Sequence, residues 1–216
     1  MLLYHIDRAG TLRPGNSIDL VPIDQLPETL KGSELFARLD LGLSRHAITY
    51  LNPICTPQPY TIVNGQAHCS MDTLWHQLSF ADHRILEYTF ELVRRAHFPQ
   101  YPSRFQCLFA LRSIDDFKSW PELSQERATI YEIEAPDTTH CFDAAWLKGG
   151  LNRGISQRNY HISYAPTLCF DMAYKYWSKI PSDSPRWEYL IPLPISGTRV
   201  HSTAQYQPAD QEVHQL

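Results

Sequence analysis

The sequence predicts an α+β fold in a single domain, and three observations support this prediction. Strand-like and helix-like segments follow one another without the regular strand–helix–strand rhythm of a doubly wound sheet. Hydrophobic residues make up 43% and charged residues 19% of the 216 residues, which is a globular composition. Sixteen prolines keep the elements short, because proline interrupts helix interiors and central strands. We expect one domain over residues 1–200 and a polar C-terminal tail over residues 201–216.

The helices are predicted from the spacing of apolar residues between prolines. The longest proline-free stretch, residues 60–98, contains an amphipathic helix over residues 82–97 that ends before Pro99. A further helix is predicted from Pro166 to Trp177. A short helix is predicted to begin at the capping residue Ser113. Helices therefore alternate irregularly with the strands described next.

Four segments have the aromatic and β-branched composition of strands. They are residues 2–6, 104–111, 128–134 and 187–191. In the third, strict alternation places Glu132 and Glu134 on one face of the strand. Residues 51–67 are rich in proline, asparagine and glycine, so we predict a loop there.

Charge and cysteine content exclude several classes of protein. Nineteen Lys and Arg residues against 23 Asp and Glu give a net charge of −4, which argues against nucleic acid as a partner because such proteins carry a concentrated basic patch. No apolar run is long enough for a membrane span, and the first residues lack the pattern of a cleavable signal peptide. The five cysteines form no CxxC pair, so we expect reduced thiols in a cytoplasmic protein, or in one delivered into a target cell.

Common catalytic and metal-binding motifs are missing from the sequence. There is no GxGxxG, no GxxxxGK[ST], no HExxH and no GxSxG. The ten histidines do not show the spacing of three to five residues that a helical pair of zinc ligands requires. We therefore expect no bound metal.

Three strand-borne segments remain as candidates for chemistry. The first, residues 3–15, places His5 at the end of an apolar strand with Arg8 just beyond it. The second runs from Ser103 and Arg104 through residues 109–115. The third, residues 187–191, has the sequence Trp-Glu-Tyr-Leu-Ile and sets Glu188 among apolar and aromatic neighbours. An ionised glutamate is costly to bury unpaired, so Glu188 must face a polar cavity, find a partner or change its pKa.

Taken together, these segments resemble the ADP-ribosyltransferase superfamily, whose enzymes use NAD⁺. Tyr4-His5 with Gly15 downstream is similar to the first-strand motif of the His-Tyr-Glu branch, which includes rifamycin-modifying and poly-ADP-ribose-polymerase-like members. Residues 108–115 resemble the second motif, an aromatic strand followed by a helix. Residues 187–191 resemble the last motif, in which a glutamate is catalytic. The pattern is also similar to an uncharacterised bacterial domain family of this superfamily, along most of the chain.

The chain departs from the branch pattern at two places. Phe109 stands where the second motif has tyrosine, and a phenylalanine can stack on nicotinamide but cannot donate a hydrogen bond. Ile6-Asp7-Arg8 replaces the Gly-Thr that follows the first-motif histidine. Arg8 and Ser103 would then correspond to the Arg and Ser of the Arg-Ser-Glu branch. Both branches therefore remain open.

The resemblance implies a split two-sheet core with peripheral helices. It also implies mono-ADP-ribosyl transfer, with NAD⁺ as the substrate. The acceptor is unknown, and we expect a protein. Cleavage of the nicotinamide–ribose bond places positive charge on the ribose, which a carboxylate stabilises. The resemblance assigns that catalytic role to Glu188. The residues expected to bind NAD⁺ are His5 at a ribose, Arg8 and Arg104 at the pyrophosphate, Ser103, and the aromatic Phe109 and Trp177 at nicotinamide.

Alternatives remain for function and for single residues. NAD⁺ hydrolysis by a toxin or effector would need nearly the same residues, with water as the acceptor. A catalytically inactive member could serve as a protein-binding module, as the missing second-motif tyrosine suggests. Phe109 and Trp177 could simply be core residues. The site assignment requires that His5, Phe109 and Glu188 converge on one cleft in the fold.

Overall fold

A computed structural model describes residues 1–7, 10, 12–31, 39, 41–51, 61–64, 66–68, 71–120, 128–149, 151–155, 160–164 and 166–206. The strands in this part of the chain are β1 (Leu2–Asp7), β2 (Thr61–Val63), β3 (Gln66–His68), β4 (Cys107–Ala110), β5 (Ala128–Glu134), β6 (His140–Asp143), β7 (Leu151–Ile155), β8 (Tyr160–Tyr164), β9 (Trp187–Pro192) and β10 (Val200–Tyr206). The α-helices are α1 (Arg45–Leu51), α2 (Met71–His97) and α3 (Pro166–Trp177). Short 3₁₀ helices cover Ile23–Gln25, Arg104–Gln106, Asp115–Ser119, Ala144–Trp146 and Gly197–Arg199.

Two antiparallel three-stranded sheets form the centre of the fold. Their strand orders are β1-β5-β10 and β4-β9-β6, and two hairpins, β2-β3 and β7-β8, stand apart from them. One bridge joins the sheets: the backbone of Tyr4 in β1 exchanges hydrogen bonds of 2.9 and 2.8 Å with Leu111, next to β4. Because helices accompany purely antiparallel sheets, the predicted α+β class is confirmed.

The two sheets share a hydrophobic core. Leu3 and Ile133 from the first sheet pack with Leu108 and Ile191 from the second, and all four are buried. Burying a large aliphatic side chain contributes about 1.5–3 kcal/mol, so this cluster holds the two sheets together.

The helices cover the other face of the second sheet. Phe90 of α2 and Trp177 of α3 lie in one cluster with Phe142 of β6 and Leu190 of β9. The indole N–H of Trp177 donates a 2.8 Å hydrogen bond to the Phe90 carbonyl, which ties α3 to α2. The second sheet is thus buried on both faces.

Several predicted elements are confirmed and others differ. The bounds of β5 and α3 are those predicted, and α2 ends at His97 as expected. However, α2 begins at Met71 because no proline or glycine interrupts the chain before the predicted start at residue 82. The predicted strand over residues 104–111 opens as a 3₁₀ turn before β4.

Two stretches predicted to lack regular structure contain strands. Within the predicted loop, β2 and β3 pair as a hairpin, and Asn64 turns the chain with a φ of 52°, a conformation that asparagine tolerates. Residues 201–206, placed in the polar tail, belong to β10 and pair with β5. Pairing with a neighbouring strand thus orders a segment that composition alone described as polar.

Three of the five cysteines lie in the described part of the chain. Cys107, Cys141 and Cys169 are free thiols, and burial raises the pKa of each. Cys55 and Cys69 lie outside the described residues. In the ranges given above, none of the helices combines the length and apolarity required to cross a bilayer.

Candidate functional site

A 3₁₀ turn between α2 and β4 positions Arg104. The side-chain oxygen of Ser103 accepts a 3.2 Å hydrogen bond from the Phe105 amide, which caps the turn Arg104–Gln106. Phe105 and Arg104 are both buried, and Arg104 is only 5% exposed. A buried guanidinium needs acceptors around it, and the structure supplies them from three elements.

Arg104 meets Glu188 of β9 and Tyr176 of α3. Its Nη1 donates to Glu188 Oε1 and, over 2.7 Å, to the Tyr176 hydroxyl. Tyr176 in turn donates a 2.7 Å hydrogen bond to the same Glu188 oxygen. Glu188 is 4% exposed. It is therefore buried, and its charge is paired with Arg104.

The electrostatic environment keeps Arg104 charged and Tyr176 protonated. Burial alone would lower the pKa of Arg104, but the carboxylates of Glu188 and Glu87 outweigh it and raise that pKa. Burial raises the pKa of Tyr176, and the negative charge of Glu188 adds to this, against the opposing effect of Arg104. The phenol therefore acts as a donor to Glu188 over the physiological pH range.

A second carboxylate, Glu87 of α2, holds Arg104 from another side. Arg104 Nε and Nη2 each donate a 3.0 Å hydrogen bond to one Glu87 oxygen, the paired geometry that a guanidinium forms with a carboxylate. Two carboxylates and one guanidinium sum to a formal charge of −1. We call Arg104, Glu87, Glu188 and Tyr176 the Arg104 group.

Phe109 and His5 extend this group to the join between the two sheets. The Arg104 guanidinium carbon lies 4.7 Å from the centroid of the Phe109 ring. His5 Nδ1 lies 2.7 Å from the Phe109 carbonyl oxygen and is the donor, since a carbonyl can only accept. His5, Phe109, Arg104 and Glu188 thus form one continuous series of contacts, and His5 and Phe109 are half-buried.

Ser103 and Trp177 do not join the site. The Ser103 hydroxyl donates a 2.9 Å hydrogen bond to the carboxylate of Glu91 on α2. Glu91 is 1% exposed and also accepts hydrogen bonds of 2.7–2.9 Å from Arg94 and Arg95. Ser103 therefore belongs to a neighbouring structural ion cluster. Trp177 has no exposed surface and offers no ring face to a ligand, so we assign it to the core. Arg8 lies outside the described residues.

Sequence reasoning missed Glu87, Tyr176 and His46. The imidazole of His46, on α1, lies 4.7 Å from the Phe109 ring, between centroids. For Glu87 a signal existed: Glu87, Glu91 and Arg94 follow the same helical spacing as the buried Leu86, Phe90 and Val93 of α2. Charged residues at core-facing spacing on an amphipathic helix indicate buried ion pairs.

Other described features lie apart from this group. A surface depression lined by Met1, Glu134, Asp137 and Arg199 includes no member of the Arg104 group. Over the residues whose placement is given, no cluster of three or more His, Cys, Asp or Glu side chains could hold a metal ion.

The fold and site together define an α+β protein with a buried ionic group formed by side chains from β9, α2, α3 and the turn before β4. The family model for "Protein of unknown function (DUF2441)" matches residues 3–203. The chain therefore belongs to the DUF2441 family. Comparison with curated proteins gives no match.

Proposed function

We propose that the protein is an NAD⁺-dependent mono-ADP-ribosyltransferase that cleaves the nicotinamide–ribose bond and transfers ADP-ribose to a protein acceptor. One observation carries the proposal: His5, Phe109 and Glu188, which come from three distant segments, are connected through Arg104 in one series of contacts. They are the residues that resemble the three motifs of the superfamily. The proposed place of action is the cytoplasm, of the producing cell or of a target cell that the protein enters as a toxin or effector.

The sheet geometry supports a ligand site at this position. Tyr4 and Leu111 make the backbone bridge between the sheets, and His5 directly follows Tyr4 on β1. The half-buried His5 and Phe109 therefore lie beside the backbone bridge that joins the two sheets. Such a join is a position where a dinucleotide can contact strands from both sheets, as a split two-sheet transferase core requires.

The charge of the site supports bond cleavage that builds positive charge. Glu87 and Glu188 outnumber Arg104, so the group carries a formal excess of one negative charge. A fixed negative charge in a partly dehydrated site stabilises a ribosyl cation more than it stabilises the ground state. Glu188 keeps the catalytic role in this proposal.

Arg104 takes a different role from the one the sequence indicated. Four hydrogen bonds from its guanidinium already go to Glu87, Glu188 and Tyr176, out of the five that its N–H groups can donate. We therefore assign it to positioning Glu188, and no longer to binding the pyrophosphate.

A second candidate function is a non-catalytic binding module of the same fold. The observation that favours it is the pairing of Glu188, whose Oε1 accepts from both Arg104 and Tyr176 while the residue is 4% exposed. A carboxylate that stays in this arrangement stabilises the fold and does not reach a ribose. NAD⁺ hydrolysis is the variant of the enzymatic proposal in which water is the acceptor.

Incubation of the protein with ribose-labelled NAD⁺ and a cell lysate distinguishes these functions. Label transferred to protein by the wild type and lost in Glu188→Gln supports transfer, whereas free nicotinamide and ADP-ribose without labelled protein supports hydrolysis. Absence of both NAD⁺ cleavage and NAD⁺ binding contradicts the proposal. Glu91→Gln is the matched control, since Glu91 is equally buried and arginine-paired but contacts neither Phe109 nor Arg104 in the described hydrogen bonds. Activities are normalised to the folded fraction from circular dichroism.

A further inference from the structure

Exposed aromatic side chains gather where α3 packs against the end of α2. Phe170 and Tyr174 of α3 are 41% and 43% exposed, and their nearly parallel rings lie 6.4 Å apart between centroids. The half-buried Phe98, just after α2, contacts Tyr174 at 5.1 Å. The exposed His97 lies 5.8 Å from Phe170 and 5.6 Å from Tyr174. Contiguous exposed apolar surface of this kind marks an interaction site, whereas single exposed apolar residues do not.

Tyr101 continues this aromatic surface and is held in a fixed position. Its ring stacks on that of Phe98 at 6.4 Å and on that of the buried Trp177 at 6.3 Å. Its backbone carbonyl accepts a 2.8 Å hydrogen bond from Arg94. Because the ring is already ordered, a ligand that binds here loses little free energy to ordering it.

Lys179 places a positive charge at the edge of the aromatic surface. The backbone N–H groups of Lys179 and Ile180 donate hydrogen bonds of 3.0 and 3.2 Å to the carbonyls of Tyr176 and Lys175, which closes α3 with a Schellman turn. Lys179 has a φ of 58°, in the left-handed region where glycine is the usual residue of such a turn. Its ammonium group lies 4.9 Å from the Tyr101 ring centroid. A lysine at this position thus directs its charge onto the aromatic surface.

Two further lysines lie beside Trp146, next to the same end of α3. The ammonium groups of Lys175 and Lys148 lie 4.7 and 5.2 Å from the centroid of the Trp146 ring. The indole N–H of Trp146 donates a 2.7 Å hydrogen bond to the carbonyl of Ile180, the residue that follows Lys179. Three ammonium groups therefore lie around the C-terminal end of α3.

These lysines contact aromatic rings and not carboxylates. Among the residues that the structure describes, no ion pair includes any of the three. Asp171 lies four residues before Lys175 on α3, the spacing at which helical ion pairs form, yet the Lys175 ammonium lies over Trp146. The lysines outnumber the exposed carboxylates nearest to them in sequence, Asp171 and Asp183. This end of α3 is therefore positive in a chain whose net charge is −4.

We propose that this region, which we call the α3 surface, is a docking site for an acidic segment of a partner protein. Carboxylates of the partner pair with the ammonium groups of Lys175 and Lys179. An aliphatic or aromatic side chain of the partner covers Phe170 and Tyr174. Protein interfaces combine aromatic anchors with a charged rim in this way. The inference does not depend on the activity proposed above.

Charge and ring packing favour an acidic protein segment over two other occupants. A second copy of the chain would place two sets of lysines in one symmetric interface, where like charges repel. A single-stranded nucleic acid needs open ring faces for its bases and a groove of cations along its backbone. Here Phe98 and Tyr101 stack on each other, and Lys179 lies over the Tyr101 ring.

Selection from a random peptide library displayed on phage, with the wild-type protein as bait, tests the chemistry of the partner. We expect the enriched peptides to carry aspartate and glutamate beside aromatic or aliphatic residues. An enriched peptide, synthesised with a fluorescent label, should bind with a dissociation constant that rises with salt concentration. It should rise about tenfold or more when Lys175→Glu and Lys179→Glu are combined, because the carboxylates of the peptide then face like charges. No enrichment, or enrichment of basic peptides, overturns the inference.

Single variants separate docking from a structural role. Lys179→Gly installs the residue that the left-handed backbone favours, so the protein should remain folded by circular dichroism while its affinity for the peptide falls. Tyr174→Ser should also weaken binding. Lys118→Gln is the matched control, an exposed lysine paired with Asp115 that should bind the peptide as the wild type does. Lys179→Gly and Tyr174→Ser variants with wild-type affinity overturn the inference.

The other occupants have measurable signatures. Sedimentation equilibrium that shows a wild-type dimer, lost in Tyr174→Ser, assigns the α3 surface to a second copy of the chain. A labelled single-stranded oligonucleotide that binds the wild type and is displaced by none of the enriched peptides assigns it to nucleic acid. Either result overturns the proposed docking of an acidic protein segment and leaves the proposed activity intact.

Discussion

The Tyr176 hydroxyl donates a 2.7 Å hydrogen bond to Glu188 and so connects the last turns of α3 to the strand β9. The same hydroxyl accepts from Arg104 at 2.7 Å. Because all three side chains are buried, loss of one partner leaves the others with fewer hydrogen bonds and no access to water. Tyr176 is therefore expected to affect both the stability of the fold and the position of the carboxylate.

We predict that Tyr176→Phe lowers the free energy of unfolding by about 1–3 kcal/mol and also slows NAD⁺ cleavage. The ring volume is kept, so the change reports on the hydroxyl alone. Urea denaturation and nicotinamide release measure the two effects. Tyr131→Phe is the matched control, since it removes a 2.8 Å hydrogen bond from β5 of the other sheet to the Leu12 carbonyl and should reduce stability only. Equal activity of the two variants would contradict the positioning role.

The Glu91 cluster is expected to act on stability and not on chemistry. Glu91→Gln leaves Arg94 and Arg95 buried or half-buried without their shared carboxylate, and breaking such a buried pair typically costs about 3–5 kcal/mol. Chemical denaturation should show this loss, whereas Glu134→Gln, at an exposed position on β5, should change stability by no more than about 0.5 kcal/mol. A Glu91→Gln protein as stable as the wild type would show that the cluster is not a structural ion pair.

Asp143 provides a pH-dependent contribution to stability. Burial alone would raise its pKa, but backbone N–H groups of Ser182, Arg186 and Ala145 donate to the carboxylate at 2.7–2.9 Å and lower that pKa below its ordinary value. In the unfolded chain the carboxyl titrates near its ordinary value of about 3.9. The stabilisation is therefore present above about pH 4 and is lost as pH falls through the lower pKa of the folded state.

The variant Asp143→Asn tests this contribution. The side-chain amide of asparagine places an N–H donor opposite one of the three backbone N–H groups. We therefore expect the free energy of unfolding to fall by about 1–3 kcal/mol at pH 7. Below pH 4 the stability of the variant should depend less on pH than that of the wild type, because the titrating group is gone. Denaturation curves at several pH values measure both effects, and two parallel stability–pH curves would rule out a role for Asp143 in acid unfolding.

Local pattern and proline position were sufficient to predict some of the fold. Strict alternation located β5, and Pro166 located the first residue of α3. Composition was insufficient where pairing decides the structure, as for β10, whose polar segment is ordered by hydrogen bonds to β5. Such pairing depends on contacts between distant parts of the chain, which no local window contains.

The candidate site, like the fold, could be predicted from the sequence only in part. His5, Phe109 and Glu188 could be predicted because each lies in a recognisable strand segment. Tyr176 could not, because its neighbour Trp177 is equally aromatic, and the two side chains point about 100° apart around the helix. Both side chains are buried in one core cluster, and only tertiary packing decides that the Tyr176 hydroxyl reaches Glu188 while the Trp177 indole bonds to the Phe90 carbonyl. The partner of Ser103 could not be predicted for a similar reason, since Ser103 lies next to Arg104 yet bonds to Glu91, one helical turn from Glu87.

A crystal structure of the protein with a non-cleavable NAD⁺ analogue would test directly whether Glu188 and Phe109 act on NAD⁺. We expect the nicotinamide ring in van der Waals contact with Phe109, at about 3.5–4 Å, and a ribose hydroxyl within about 3 Å of a Glu188 oxygen that has released Tyr176 or Arg104. Binding of the analogue elsewhere, or no binding at saturating concentration with Glu188 still held by Arg104 and Tyr176, would contradict this expectation.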